Sequence, residues 1–169
     1  MEYRDLYDNE KNLTGKTIRK GDPSPTDANI LVVISFMENS KGEFLIQHAS
    51  PEKNSLFTST GGHPKAGETS LEGIITEIKE ELGISIPKEE LRLFYSELVG
   101  TRFLDIYYLY KDIDINNLVL QKEEVDYVKW MTIDEIKELI NNGLFLKTHA
   151  TMFLNLVENY NHIRGEYRK

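Results

Sequence analysis

The sequence predicts an α/β protein in which a mixed central β-sheet lies between helices, an α/β/α sandwich. Residues 30–36 form a continuous β-branched apolar run, which is typical of a strand buried on both faces. Residues 69–84 and 148–163 carry apolar residues at helical spacing. Further strand patterns lie before and between these helices, and mixed elements in this order predict layered packing.

The predicted strands begin with a short hairpin. Two extended segments, at residues 3–7 and 14–18, flank a turn-rich stretch and place an N-terminal hairpin within residues 1–25. The sequence leaves open whether this hairpin lies beside the main sheet or against a second subunit of a homodimer. The remaining predicted strands are residues 30–36, 43–48, 56–60, 91–99, 103–111 and 125–131.

Three helices are predicted from their end signals and their periodicity. Thr69 followed by Glu72 is a capping-box pattern that begins the first helix, and Gly83 is a natural stop. The same pattern at Thr132 begins a second helix, which runs to about Ile140. The third helix, residues 148–163, is expected to bury Phe153, Leu154, Leu156, Val157, Tyr160 and Ile163.

Composition and charge restrict the function. With 169 residues, of which 40% are hydrophobic, residues 1–169 are expected to form one domain. No run approaches the roughly 20 apolar residues that cross a membrane, and the acidic start is not a signal peptide. The absence of cysteine excludes thiolate catalysis and cysteine zinc sites. A net charge of −8 argues against nucleic acid polymers and anionic membranes as partners. We therefore expect a cytoplasmic protein.

The helix at residues 69–84 carries the clearest chemical signal. Its predicted buried face consists of Leu71, Ile74, Ile75, Ile78 and Leu82. Glu77, Glu80 and Glu81 fall together on an adjoining arc with Gly73. Like charges at these spacings cost roughly 0.2–0.5 kcal/mol per pair, so a solvated face explains them poorly. A hard divalent cation, which prefers oxygen ligands, explains them better, and Gly73 leaves room for a ligand to approach.

From Gly62 to Ile84 the sequence resembles the motif of the Nudix hydrolase family. That motif is Gly, five residues, Glu, seven residues, then Arg-Glu-hydrophobic-any-Glu-Glu-any-Gly-hydrophobic. Every defined position matches except Thr76, where the family has Arg. The resemblance implies the Nudix fold and a MutT-like, Mg²⁺- or Mn²⁺-dependent hydrolase of small-molecule diphosphates. Its substrate would be a nucleoside diphosphate linked to another group.

The same resemblance implies roles for single residues. Glu80 and Glu81 would be metal ligands, and the carbonyl of Gly62 would point at the same cation. Glu77 would be either a further ligand or the base that activates water, which makes Glu77 and Glu80 the candidate catalytic residues. Thr76 has a shorter reach than Arg and no charge, so activity could be weakened, shifted to higher pH or lost. Because the carboxylates are all present, we expect an active enzyme.

Three residues outside the helix complete the predicted site. Glu124, just before the last strand, is the candidate for a further metal ligand, and a solvated carboxylate is equally consistent with its position. His63 and Lys65 are candidate substrate-binding residues, although a loop histidine of this kind is usually polar surface. We expect neither Lys65 nor Lys79 to replace the missing Arg. The aromatic residues assigned to strand burial rather than to base stacking are Phe103, Tyr107, Tyr108, Tyr127 and Trp130.

Two alternative functions remain open from the sequence. Gly62-His63-Pro64 resembles isopentenyl diphosphate isomerases, which share the Nudix fold and move a double bond. That family has a catalytic Cys where this chain has Gly61, and it has metal-binding histidines nearer the N-terminus, whereas none here precedes His48. The isomerase is therefore disfavoured. The second alternative, a non-catalytic Nudix-fold binding module, is favoured only by Thr76.

Overall fold

The computed structural model describes residues 1–168, so Lys169 of the predicted domain lies outside the described residues. The strands are β1 (Tyr3–Tyr7), β2 (Leu13–Arg19), β3 (Ile30–Glu38), β4 (Phe44–Ala49), β5 (Phe57–Thr58), β6 (Thr60–Gly62), β7 (Arg92–Val99), β8 (Arg102–Tyr110) and β9 (Val125–Met131). The helices are α1 (Ser70–Leu82), α2 (Ile133–Asn141), α3 (Lys147–Glu158) and α4 (Tyr160–Tyr167).

Strand β3 is the centre of the main sheet. It runs parallel to β8 along its whole length and antiparallel to β6. Strand β4 extends the sheet through antiparallel pairs with β5 and β9, and β7 pairs antiparallel with β8. Within the described residues, β3 to β9 form one seven-stranded sheet. The sheet is mixed, as the sequence predicts.

Both faces of this sheet are covered by helices. One apolar core joins alternate residues of β3 to α2, α3 and α4, and its members include Val32, Ile34, Phe36, Ile136, Phe153 and Ile163. The other core joins the intervening residues to α1, and its members include Leu31, Val33, Met37, Ile74, Ile78 and Leu82. The apolar run of β3 is therefore buried on both sides, and the molecule is an α/β/α sandwich.

The two adjacent glycines ahead of α1 lie in a strand, and the chain turns only after them, at Ala66 and Gly67. Gly61 and Gly62 belong to β6, where they lie opposite Ile34 and Val33 of β3. A Cβ atom on Gly61 would lie 2.6 Å from the carbonyl oxygen of Val33. Glycine is therefore used here for close approach of two backbones rather than for a left-handed turn.

The predicted C-terminal helix is divided at Asn159. Helix α3 ends at Glu158, and the side chain of Asn159 donates to the backbone carbonyl of Asn155. Asparagine competes with the helical backbone for hydrogen bonds in this way, which explains the break. Leu154 is 38% exposed, so its assignment to the core is wrong.

The N-terminal hairpin of β1 and β2 lies beside the main sheet of its own chain. Tyr7 exchanges two backbone hydrogen bonds of 2.8 Å with Asn29, which directly precedes β3. The Lys11 ammonium, between the two strands, donates to the buried Asp105 of β8 at 2.6 Å. These contacts place the hairpin beside the main sheet, one of the two positions that the sequence leaves open.

None of the helices in residues 1–168 is both long enough and apolar enough to cross a membrane.

Candidate active site

Helix α1 has the ends and the orientation that its sequence predicts. The Thr69 side chain accepts from the Glu72 amide, the Glu72 side chain accepts from the Thr69 amide, and Gly83 ends the helix at φ 69°. With both ends fixed, the apolar positions face the core and the acidic arc faces a cleft of about 290 Å³. The predicted site residues that line this cleft are Gly62, His63, Glu77, Glu80, Glu81 and Glu124.

The Glu77 carboxylate lies directly against the backbone of Gly62. A Cβ atom added to Gly62 would lie 2.3 Å from Glu77 Cδ and 2.6 Å from each of its oxygen atoms. No other residue at position 62 would leave Glu77 where it is. Burial raises the pKa of Glu77, and the neighbouring Glu80 raises it further, because a charged carboxylate is disfavoured away from water and beside another.

Glu81 is the deepest acidic group of the cleft and is 6% exposed. The amide of Gln47 donates to its Oε1 at 3.2 Å, and the same amide accepts from the Thr60 hydroxyl at 2.5 Å. The second oxygen, Oε2, is buried and has no hydrogen-bond partner among the described residues. Burial and the nearby Glu77 both raise the pKa of Glu81. An unpartnered buried carboxylate oxygen is costly, and a bound cation would satisfy it.

Glu80 and Glu124 line the cleft as ion pairs. The Lys65 ammonium lies 2.5 Å from Glu80 Oε1, and Lys53 is paired with Glu124. Lys65 therefore holds one glutamate of the acidic arc, a contact that the motif does not predict. The contact cannot be predicted from the sequence, because the two residues are 15 positions apart. They meet only when the loop that carries Lys65 lies along the helix that carries Glu80.

The acidic groups fit a divalent cation, although they do not yet surround one point. Across residues 1–168, no three acidic or histidine side chains are already arranged as ligands, and lysines hold two of the carboxylates. The fit rests on Glu81 Oε2, which is buried without a partner, and on Glu77, which lies beside it with a raised pKa. Clustered oxygen donors of this kind suit Mg²⁺ or Mn²⁺.

Gly73 does not provide space for a ligand, contrary to the sequence-based interpretation. A Cβ atom at this position would lie 2.5 Å from Cγ of Pro64. Pro64 is buried against the helix, so Gly73 allows the loop before α1 to pack closely.

Thr76, which replaces the family Arg, contacts a residue outside the cleft. Its hydroxyl donates to Glu68 Oε2 at 2.6 Å, and the Lys65 amide donates to Glu68 Oε1 at 2.7 Å. Glu68 therefore joins the loop before α1 to the middle of the helix. This arrangement agrees with a structural role for Glu68 and gives Thr76 the same kind of role.

Replacing Thr76 with valine is expected to lower the free energy of unfolding by about 1 kcal/mol, because one hydrogen bond to a half-buried carboxylate is lost. The kcat of hydrolysis should change by less than roughly tenfold, since the side chain does not reach the cleft. Urea unfolding and steady-state kinetics measure the two effects. Thr76→Ser keeps the hydroxyl and serves as the control. A large loss of kcat without a loss of stability would contradict this assignment.

His63 is a half-buried residue of the cleft and not plain surface. Burial and, to a smaller extent, the nearby Arg4, Arg102, Lys20 and Lys53 together lower the pKa of its imidazole to about 4. The ring is therefore neutral near pH 7. It offers a substrate at most a neutral hydrogen bond, with no charge.

The aromatic residues that were weighed for base stacking do not line the cleft. Phe103, Tyr107 and Tyr108 are buried in the two cores, which confirms their assignment to strand burial. Tyr127 is 43% exposed, so its assignment to strand burial is wrong. Its ring stacks on the His48 ring at a centroid separation of 4.9 Å, whereas Trp130 packs on the α1 side of the sheet.

Three cationic side chains of the cleft are not found by the sequence motif. They are Arg4 and Lys20 of the hairpin and Lys53 of the loop before β5. The only local signal that Arg4 faces inward is its place in the alternation of Glu2, Arg4 and the buried Leu6 along β1.

The comparisons with known proteins agree with the fold. The NUDIX domain family model matches residues 28–150. Uncharacterized Nudix hydrolase lmo0368 of Listeria monocytogenes is 34% identical over 163 residues, covering 94% of this chain and 95% of that protein. The crystal structure of DR0079 from Deinococcus radiodurans has a TM-score of 0.71 at 24% identity, covering 85% of this chain and 91% of that chain.

A further solved structure with the same fold contains ligands. It is a bifunctional NMN adenylyltransferase/ADP ribose pyrophosphatase from Francisella tularensis complexed with AMP and Mn ion. Its TM-score is 0.59 at 21% identity, and the match covers 80% of this chain and 43% of that chain.

The family match and the homologues, together with the α/β/α fold, identify an enzyme that acts on phosphorus anhydrides. Within that class, the chain belongs to the Nudix hydrolase family. Nudix enzymes cleave pyrophosphate bonds in nucleoside diphosphates linked to other groups, and they generally use Mg²⁺ or Mn²⁺. The predicted Nudix fold, with its mixed sheet between helices, is confirmed.

Proposed function

We propose that this chain hydrolyses a phosphoanhydride bond in a nucleoside diphosphate linked to another group, with Mg²⁺ or Mn²⁺ as cofactor. The observation that carries the proposal is the pair of the half-buried Glu77 and the buried Glu81 on α1. Both pKa values are raised, and Glu81 Oε2 has no partner in the described part of the chain. Holding these carboxylates close together away from water destabilises the folded state. A bound cation that neutralises their charge best explains why the helix carries them.

The roles follow from where each carboxylate lies. Glu81, with its unpartnered oxygen, would be the central metal ligand, and Glu80, Glu124 and the carbonyl of Gly62 would complete the ligand set. A divalent cation held there supplies charge neutralisation for phosphate oxygens and makes a bound water more acidic. Glu77 is assigned as the general base, because it lies beside this set and is fixed in position by its contact with Gly62.

Hydrolysis then proceeds by attack of a water oxygen on phosphorus. Glu77 accepts the proton that the water loses, the new oxygen–phosphorus bond forms, and the bridging bond to the leaving group breaks. The leaving phosphate departs with the bridging oxygen. Lys65 and Lys53, which pair with Glu80 and Glu124, keep these carboxylates at the edges of the cleft until substrate and cation arrive.

The isomerase alternative loses support in the structure. The catalytic Cys of that family would stand at position 61, where a Cβ atom meets the backbone of β3. The binding-module alternative also weakens, because Thr76 lies outside the cleft and its hydroxyl is bonded to Glu68. Neither alternative explains why Glu77, Glu80 and Glu81 face one cleft.

A substrate panel tests the proposed function. It contains ADP-ribose, nucleotide sugars, dinucleotides and nucleoside di- and triphosphates, and the Francisella tularensis neighbour is the reason for ADP-ribose. We expect phosphate, pyrophosphate or nucleoside monophosphate to be released from at least one member with Mg²⁺ or Mn²⁺, and none with EDTA. Isopentenyl diphosphate is included to detect double-bond migration. No product from any member would overturn the hydrolase assignment.

A further inference from the structure

The cleft has a cationic side that lies outside the family motif. Its opposite wall, formed by α1, carries the glutamates, whereas Arg4 and Lys20 enter from the N-terminal hairpin. We propose that Arg4 and Lys20 bind the phosphate group of the substrate that lies farther from the glutamates, so that the hairpin is a substrate-recognition element. This inference rests on the proposed function, because it concerns the same cleft and the same diphosphate.

The strand register places both side chains on one face of the hairpin. Arg4 lies opposite Ile18, and Tyr3 lies opposite Arg19. Side chains alternate along a strand, so Arg4 and Lys20 share the face that lines the cleft, while Tyr3 and Arg19 occupy the other face. Two cations from adjacent strands therefore meet at one edge of the cleft.

Arg4 faces the cleft without a partner. None of the ion pairs within residues 1–168 includes it, and its Nε is buried with no hydrogen-bond partner there. A guanidinium group presents several donors in a planar fork that matches two phosphate oxygens at once. A buried donor without an acceptor is costly, and a bound phosphate removes that cost.

Lys20 adds an exposed ammonium group beside the Arg4 guanidinium. Its ammonium lies 3.8 Å from the Glu2 carboxylate, and its side chain is 57% exposed. That contact is too long for a strong hydrogen bond and leaves the ammonium free to turn toward an anion. Arg4 therefore offers donors in a fixed planar arrangement, and Lys20 offers a donor that can reorient.

The hairpin is held in place by backbone contacts with the loop before α1. The Ala66 amide donates to the Tyr3 carbonyl at 2.8 Å, and the Gly67 amide donates to Asp5 Oδ2 at 2.8 Å. The next residue back in that loop is Lys65, which pairs with Glu80. The distance between the cations of the hairpin and the glutamates of α1 is therefore set by the fold, as positioning of a substrate requires.

The local charge suits a phosphate and no other part of a nucleotide. Arg4, Lys20 and Lys53 line the side of the cleft that carries positive charge, and all three lower the pKa of the His63 imidazole. The chain as a whole carries −8, so this cationic side is where the phosphate of an anionic substrate is attracted. No Phe, Tyr or Trp side chain of residues 1–168 lines the cleft to stack on a base.

Calorimetric titration with methylenediphosphonate, a diphosphate that cannot be hydrolysed, tests the inference directly. Wild type, Arg4→Gln and Lys20→Gln are titrated with Mg²⁺ and again in EDTA. Each substitution should weaken binding roughly tenfold, as expected for a lost charge-assisted hydrogen bond, and the double variant should lose more. Arg4→Lys should recover part of the loss. Arg19→Gln, a cation of the same hairpin on the opposite face, is the matched control and should bind like wild type.

Kinetics with the substrate found in the panel give a second measurement. Arg4→Gln and Lys20→Gln should raise KM more than they lower kcat, because the glutamates that carry the chemistry are unchanged. Circular dichroism checks the fold of each variant, and the exposed Lys20 keeps the test decisive if Arg4→Gln unfolds.

Binding of both glutamine variants within twofold of wild type, or no binding of the diphosphonate by wild type with Mg²⁺, would overturn the inference. The two proposals fail separately. Hydrolysis of the panel substrate with an unchanged KM in both variants would support the proposed function and contradict the role of the hairpin. Binding of the diphosphonate through Arg4 and Lys20 without hydrolysis of any panel member would contradict only the proposed function.

Discussion

Replacing Glu77 with glutamine is expected to lower kcat by roughly 10²- to 10⁴-fold, the usual contribution of a positioned general base. The amide has nearly the same shape but cannot accept the proton of the attacking water. The fold should be retained, and the free energy of unfolding should stay the same or rise, because one charge of the crowded set of Glu77, Glu80 and Glu81 is removed. Steady-state kinetics at saturating substrate and Mg²⁺, together with urea unfolding, measure both effects.

Two further variants make this prediction specific. Glu138→Gln changes an exposed glutamate of α2 outside the cleft and should leave kcat unchanged. Gly62→Ala keeps every carboxylate but places a Cβ atom 2.3 Å from Glu77 Cδ, so it should displace the base and lower kcat as well. If Glu77→Gln keeps a kcat within a fewfold of wild type, Glu77 is not the base, and Glu80 becomes the next candidate.

Helix α1 was predictable because every signal that defines it is local. The cap at Thr69, the stop at Gly83 and the apolar period between them lie within one short stretch, and the structure reproduces all three. The acidic face follows from the same register. The strand pattern of β3 was equally predictable, since a continuous apolar run has few other uses.

The features that the sequence did not give depend on contacts between distant residues. The contact of Gly62 with Glu77 forms only when β6 pairs with β3 and brings residue 62 against α1. Lys65 meets Glu80 only because the loop before α1 is fixed along the helix. Arg4 belongs to a hairpin whose position is set by hydrogen bonds to that loop. Periodicity and motif spacing describe one element at a time, so they locate the acidic wall of the cleft but not its cationic wall.

Without a divalent cation, the protein is expected to lose stability as the pH rises from about 6.5, the ordinary histidine pKa, to about 8. Burial and the repulsion of neighbouring carboxylates raise the pKa of Glu77 to about 7 and that of Glu81 to about 8. Below this window, the protons that the folded chain retains on these glutamates are offset by protons that the unfolded chain binds at His63 and His149, whose pKa values in the folded chain are lowered to about 4 and about 3. Above about pH 6.5 the unfolded histidines release their protons while the folded glutamates retain theirs, so the unfolded state binds fewer protons and the free energy of unfolding falls. The total loss should be on the order of a few kcal/mol, complete once both groups ionise in the folded state.

Mg²⁺ should reverse this loss, and Glu81→Gln should abolish the reversal. A cation that binds only the folded state adds about 2.7 kcal/mol at a concentration one hundred times its Kd, and its effect should grow with pH because it binds the ionised carboxylates. Glu81→Gln removes the central ligand and one raised pKa, so the stability of this variant should depend less on pH and hardly on Mg²⁺.

Urea unfolding across this pH range, in EDTA and in saturating Mg²⁺, measures both dependences. Glu123→Gln, an exposed glutamate next to Glu124, should behave like wild type. Equal stabilisation of wild type and Glu81→Gln by Mg²⁺ would place the cation elsewhere, because no other carboxylate of the cleft has a buried oxygen without a partner in the described residues.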